Sequence, residues 1–185
     1  MRSEIIGEKI ILRKYEITFA PLLFEAANES KGGEFSRWMP WCHENYTLAE
    51  SETFIAGGIE KWEDQTEYDF AIFDAQNGKF VGGVSLNLFN RQRGSANLGY
   101  WVRTNSQNRG IAHTAARLLA KTGFKDLGLN RIEIAVAVEN YASQKTAEKS
   151  GATREGILRK LLSIGGVQHD AVMFSFVRED FQNCL

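Results

Sequence analysis

Apolar and polar positions switch between two spacings along the chain. KIILRKY (9–15) reads as a short strand, and TFAPLLFEAANES (18–30) then takes helical spacing, with Pro21 tolerated in the first turn. KGGEFSRWMPWCHENY (31–46) breaks both spacings and reads as a loop anchored by Trp38 and Trp41, long enough to act as a lid. TLAESETFIAGGIEKWED (47–64) returns to a helix, and Thr47 with Glu50 three residues on has the spacing of a capping box. From residue 67 the texture is that of strands: EYDFAIFDA, KFVGGVSLNLFN and SANLGYWV, the first two joined by the hairpin signal Asn77-Gly78. HTAARLLAKTGFKDLG (113–128) then places Ala116, Leu119, Ala120 and Gly123 on one helical face, and the strand RIEIAVAVE (131–139) completes a β-α-β crossover. Asn140 opens the helix YASQKTAEKSG, Gly151 closes it, and TREGILRKLLSI and VQHDAVMFSFV form a last strand pair joined at Gly165-Gly166. The order β-α-α-β-β-β-α-β-α-β-β, without internal repeat or linker, predicts one mixed α+β sheet domain over residues 1–185.

Composition narrows the partners. Lys and Arg number 22 against 23 Asp and Glu, so bulk charge gives no reason to expect direct nucleic-acid binding. The opening MRSEIIGEKIILRKYE carries charges through its apolar stretches and offers neither a signal-peptide core nor a membrane span, so no membrane partner is expected. Cys42 and Cys184 lack CxxC spacing and a nearby His pair, which supports neither a disulfide framework nor a zinc site; the expected home is the cytoplasm. The acidic stretch 51–69 reads as an exposed helix face, with the alternative that it attracts a cationic amine.

The chemistry concentrates at QNRGIA (107–112), between a strand and a helix that has no acidic cap. A helix start leaves backbone N–H groups unpaired and aims the positive end of the helix dipole at the loop, which suits an anion. Gly110 removes a Cβ from the approach, Arg109 adds charge, and Gln107 and Asn108 add amide donors, so a diphosphate fits. Neither GxxxxGK[ST] nor GxGxxG occurs.

Gln107, Gly110 and Ala112 match the loop [QR]-x-x-G-x-[GA], and here the chain resembles the GNAT superfamily of acetyl-CoA-dependent N-acetyltransferases. The stretches SRWMPW, LGYWV, ENYASQKTAEKSGATREG and HDAVMFSFVREDF extend the resemblance over nearly the whole chain and draw it toward the RimJ/RimL branch, the ribosomal-protein N-terminal acetyltransferases. The resemblance implies an α+β GNAT fold: a central mixed, mostly antiparallel sheet of six to seven strands, splayed in the middle and flanked by about four helices. It implies acetyl-CoA as co-substrate, no metal, and direct attack by an amine in a ternary complex.

By the same resemblance, the strand end Trp101, Val102 and Arg103 would pair with the pantetheine arm, and the Val102 N–H would stabilise the oxyanion. Gln107, Asn108, Arg109, Gly110, Ile111, Ala112 and His113 would hold the diphosphate. Asn140 would bond a pantetheine amide, Ser143 would protonate the leaving thiolate, and Tyr100, Trp38 and Trp41 would line the acceptor site. Simpler roles stand beside these: Asn140 as a helix N-cap, Arg109 as a solvated charge, Trp38, Trp41 and Cys42 as loop anchors, and His113 and His169 as structural or solvent-facing residues. Where relatives carry an acid before GYW or on the penultimate strand, this chain has Asn97 and Leu162. The remaining bases are Asp170, His169, Glu139, His43 or a water chain, ranked first, so no protein base is assigned. The acceptor is expected to be a protein N-terminal α-amine, of a ribosomal or other protein. The alternatives are a small amine such as a polyamine, amino sugar, antibiotic or amino acid, and a domain that binds CoA without turnover. A homodimer is suggested by resemblance alone.

Overall fold

The computed structural model describes residues 1–181. Its sheet has the spatial order β1-β2-β3-β4-β5-β6-β8-β7. The strands are β1 (Glu4–Ile6), β2 (Ile10–Lys14), β3 (Tyr68–Asp74), β4 (Phe80–Asn90), β5 (Ser95–Val102), β6 (Arg131–Ala137), β7 (Thr153–Ile164) and β8 (Val167–Val177). All neighbours are antiparallel except β5 and β6, which the crossover helix makes parallel. The helices are α1 (Ala20–Ser30), α2 (Gly33–Trp38), α3 (Leu48–Glu63), α4 (Ile111–Leu127) and α5 (Tyr141–Ser150).

Side-chain alternation divides the core between the two sheet faces. Leu12, Phe70, Ile72, Leu86 and Leu98 pack with Ala116, Leu119, Ala120 and Phe124 of α4. Tyr15, Ala71, Phe73 and Phe80 point the other way, onto Leu23 and Ala26 of α1 and Ile55 of α3. Covered on both sides, β3 is buried along its whole length.

Several local expectations hold. Thr47 and Glu50 form both bonds of the capping box, Asn140 caps α5 by accepting from the Ser143 N–H, and Gly151 ends α5 at φ +89°. Two do not. The described residues contain eight strands and five helices, against six to seven and about four. The extra strand, β1, has three residues of which only Ile5 is buried, too few to show a period. The extra helix, α2, lies inside the expected loop: Gly32 and Gly33 turn at φ +88° and +57°, the Gly32 N–H donates to Ser36 Oγ at 2.7 Å, and Ser36 Oγ donates to the Cys42 carbonyl at 2.5 Å. Six residues held this way carry no amphipathic repeat. Cys42 is buried and donates to the Ala27 carbonyl; Cys184 lies outside the described residues.

The sheet opens between its two parallel strands. Pairing of β5 with β6 covers only Ser95–Asn97 against Arg131–Glu133, after which β6 continues along β8 while β5 stays on β4. The Arg103 N–H donates to the Val81 carbonyl, so by antiparallel alternation the amides of Val102 and Tyr100 face away from β4, into the opening. Among the described residues no helix is long and apolar enough to cross a membrane.

Candidate active site

A groove of about 860 Å³ runs from this opening over the start of α4 to α5. Its floor is backbone. No side chain caps α4, whose first N–H groups, at Ile111, Ala112 and His113, precede the first intrahelical bond, from Thr114 N–H to the Gly110 carbonyl at 3.2 Å. Asn108 at φ +60° and Gly110 at φ +80° line the same concavity, and left-handed turns of this kind suit anions. A Cβ on Gly110 would lie 2.9 Å from His113 Cε1 and intrude on this cradle. Burial, with Lys149 and Lys9 nearby, pushes the His113 imidazolium pKa down, so near neutral pH the ring is uncharged.

The side chains of the loop are less committed to the groove than their types suggest. Gln107 Nε2 donates to the Val102 carbonyl at 3.2 Å, spending that bond on the loop itself. Arg109 is 54% exposed along its side chain and lies 3.4 Å from Asp74 Oδ2. Arg103 is a correction to the expected cofactor contacts. Strand alternation sends its side chain to the α1 face, where Glu25 and Glu29, one helical turn apart, both receive its guanidinium, with the Phe80 carbonyl at 3.2 Å. Its N–H and guanidinium are thus occupied inside the protein.

At the far wall, Tyr100 Oη meets the Ser143 carbonyl at 2.9 Å and Ser143 Oγ at 3.1 Å, a pairing across 43 residues. Burial pushes the Tyr100 phenol up to about 12, against a smaller opposing effect of the Ser143 bond. The phenol keeps its proton near neutral pH and can donate to the carbonyl while accepting from the Ser143 hydroxyl. Asn140 Oδ1 is taken by the Ser143 N–H at 3.0 Å.

On the opposite sheet face lies a second cavity, of about 660 Å³, which shares Met39, Tyr100 and Trp101 with the groove. Its walls carry a cluster of aromatic rings, Tyr15, Trp41, Tyr46, Phe54 and Trp101. Trp41 and Trp101 stack edge to face at 5.3 Å. Gly83 makes room for Trp101 and Tyr15, since a Cβ there would lie 2.5 Å from Trp101 Nε1 and 3.0 Å from Tyr15 Oη. Trp38 lines the groove rather than this cavity, hydrogen-bonded to Glu34 at 3.1 Å.

Three carboxylates line the cavity. Glu50 accepts from Thr47 and meets His43 Nε2 at 2.9 Å, and Glu67 receives Lys61 at 2.8 Å. Asp69 differs: it is 8% exposed, and its Oδ2 has no hydrogen-bond partner. Burial, then the neighbouring Glu67, raise its carboxyl to about 7 in spite of Lys61. Sequence reading missed it as an individual: it ends the acidic stretch 51–69, which reads as an exposed helix face with attraction of a cationic amine as the alternative.

The other candidate bases lie apart. Asn97 donates to Asn87 Oδ1, and Asn87 to Ser85 Oγ, as a neutral polar row beside Asp69. Leu162 pairs with His169 on the β7–β8 hairpin. His169, Asp170 and Glu139 line another hollow, where Asp170 accepts from the Lys160 N–H and His169 faces Glu139 at 3.5 Å. His43 lines the aromatic cavity, paired with Glu50.

Comparison with known proteins agrees with this geometry. Residues 9–153 match the acetyltransferase (GNAT) domain. The candidate N-acetyltransferase YjcK of Bacillus subtilis (strain 168) is 33% identical over 179 residues, covering 94% of this chain and 97% of its own. A solved structure of a candidate ribosomal-protein-serine acetyltransferase from Vibrio cholerae superposes with TM-score 0.83 at 27% identity, over 96% of this chain and 99% of that one. The microcin C7 self-immunity acetyltransferase MccE, solved with acetyl-CoA and AMP, superposes with TM-score 0.78 at 25% identity over 92% and 93%. The unpaired amides above α4 and the open edge of β5 fit the diphosphate and the amide-bearing arm of acetyl-CoA. The chain belongs to the GNAT family, the acetyl-CoA-dependent N-acetyltransferases.

Proposed function

We propose that this enzyme, in the manner of the RimJ/RimL branch, acetylates the α-amine at the N-terminus of a peptide or protein, ribosomal proteins being one class of acceptor. The observation that carries this reading is the charge arrangement of the aromatic cavity. Glu50 and Glu67 have cationic or hydrogen-bonding neighbours, and Asp69 is the one of these three carboxylates with a buried oxygen that lacks a partner. One such carboxylate among aromatic walls suits one ammonium beside an apolar first side chain. A polyamine would call for further free carboxylates.

In this reading the groove holds acetyl-CoA. The amides of Ile111, Ala112 and His113, with Asn108, Arg109 and Gly110, receive the diphosphate, Gln107 braces the loop, and Asn140 flanks the arm. Trp101 and Val102 supply the strand edge, and the Val102 N–H points at the thioester oxygen. The amine crosses from the cavity between Tyr100, Trp101 and Met39, with Trp41 against its first side chain, and attacks the acetyl carbon directly. Ser143 Oγ–H gives its proton to the departing thiolate, backed by the Tyr100 hydroxyl.

Steady-state CoA release is the test. Peptides with a free N-terminus should support turnover, and the same peptides with a blocked N-terminus should not. Equal turnover of both would remove the α-amine reading.

A further inference from the structure

We propose that Asp69 is the proton acceptor for the incoming ammonium, an inference that rests on the aromatic cavity being the acceptor site. Asp69 sits on β3 directly across from Ser85 on β4, which in turn faces Gly99 on β5. The row therefore has a carboxylate at one end and, at the other, a residue with no side chain next to Tyr100 and Trp101, where the cavity meets the groove. From behind, α3 presses Gly58 against the carboxylate, and a Cβ there would already lie 3.3 Å from Oδ2. Oδ2 is thus packed beneath α3 without a partner, and Asp69 is at the same time part of the cavity lining.

The surroundings suit a proton acceptor better than a structural ion pair. Facing Asp69 are Tyr15 from β2, whose buried Oη also lacks a partner, Glu67 at the head of β3, Lys61 from α3, and Tyr46, His43 and Glu50 around the cavity. Lys61 is bonded to Glu67 instead, so no cation is paired with Asp69. A carboxyl raised to about 7 is part ionised at neutral pH and gains most by taking a proton.

The step balances simply. R–NH3⁺ enters the cavity, one N–H bond breaks and an O–H bond forms on Asp69, leaving R–NH2 and a neutral carboxylic acid. The freed lone pair attacks the acetyl carbon. As the amide forms, Ser143 Oγ–H gives its proton to the departing thiolate, the amine's second proton replaces it on Ser143, and Asp69 returns its own proton to solvent after product departs.

The test is the pH profile of kcat/KM for wild type and Asp69→Asn, using whichever primary amine the wild type turns over. Titration with acetyl-CoA serves as the check of folding. The expected result is a loss of roughly 100-fold at pH 7 with cofactor affinity retained, and disappearance of the rising limb near pH 7. Activity within about threefold of wild type with the same limb would overturn the proposal. Should the variant fail to bind acetyl-CoA, the wild type still decides: its limb should stay in place when the acceptor is exchanged for one of different amine pKa, and a limb that follows the acceptor would overturn the assignment.

Trp41→Ala separates the two readings. It opens the same cavity without touching Asp69 and should raise the acceptor KM. An unchanged KM would take the cavity away from the acceptor. A raised KM beside undiminished turnover by Asp69→Asn would remove only the proton role. A wild type that acetylates non-peptide amines but not free peptides would sink the α-amine reading while leaving the Asp69 assay fully decisive.

Discussion

In the groove, the groups left free are main-chain amides at the start of α4 and along the open edge of β5, whereas the cavity is walled largely by side chains gathered from α1, β2, α3, β3, β4, β5 and the segment after α2. Backbone recognition tolerates changes of side chain but not of backbone angle. Side-chain recognition has the opposite sensitivity. The groove should therefore be vulnerable at its left-handed residues, and the cavity at its single unpaired charge.

The largest expected effect lies in the cavity and needs no substrate. The native carboxyl of Asp69 is raised to about 7, above its unfolded value of about 3.9, so between these pH values the native state holds a proton that the unfolded chain has released. This contribution is fully present below pH 4 and is lost as pH rises through about 7. Asp69→Asn should match wild type in unfolding free energy near pH 4 and exceed it above pH 7 by on the order of 4 kcal/mol, measured by denaturant titration across pH. A constant difference at all pH values would mean that Asp69 titrates normally.

Next comes the groove. Gly110→Val forces a β-branched residue into φ +80° and places its Cβ against His113, so acetyl-CoA affinity should fall roughly 100-fold by calorimetry, with unfolding less affected. Retained affinity would show that the loop backbone does not shape the site. Ser143→Ala should have the smallest effect, because a thiolate leaves readily even without a donor: kcat should fall about tenfold at unchanged acetyl-CoA affinity. An unaltered kcat would remove Ser143 as the donor.

The same division governs what the sequence discloses. Thr47 with Glu50, Asn77 with Gly78, Asn140 with Gly151, and the run 107–112 each act within a few residues, so their spacing is visible in one line of text. The boundaries of β5 were legible for the same reason. Asp69 was not, because a polar residue in an alternating strand reads as solvent-facing, and only α3, packed over β3 through Gly58, turns that position inward. Arg103 misled in the other direction. It follows the strand that lines the groove, yet two glutamates more than seventy residues earlier draw it to the opposite face. The Tyr100–Ser143 pair likewise exists only once β5 and α5 are brought together.

The Arg103 contacts have a mechanical side. Besides holding this guanidinium, Glu29 accepts from the Asn105 N–H at 3.0 Å, and Ser30 Oγ accepts from the Thr104 N–H at 3.0 Å. The C-terminal turn of α1, a helix that carries part of the cavity wall through Leu23, is thus riveted to the segment leading into the diphosphate loop. The two regions are therefore joined by direct hydrogen bonds and not only by the chain. Thermodynamic reciprocity then requires that whatever factor acetyl-CoA applies to the affinity for the amine, the amine applies to the affinity for acetyl-CoA.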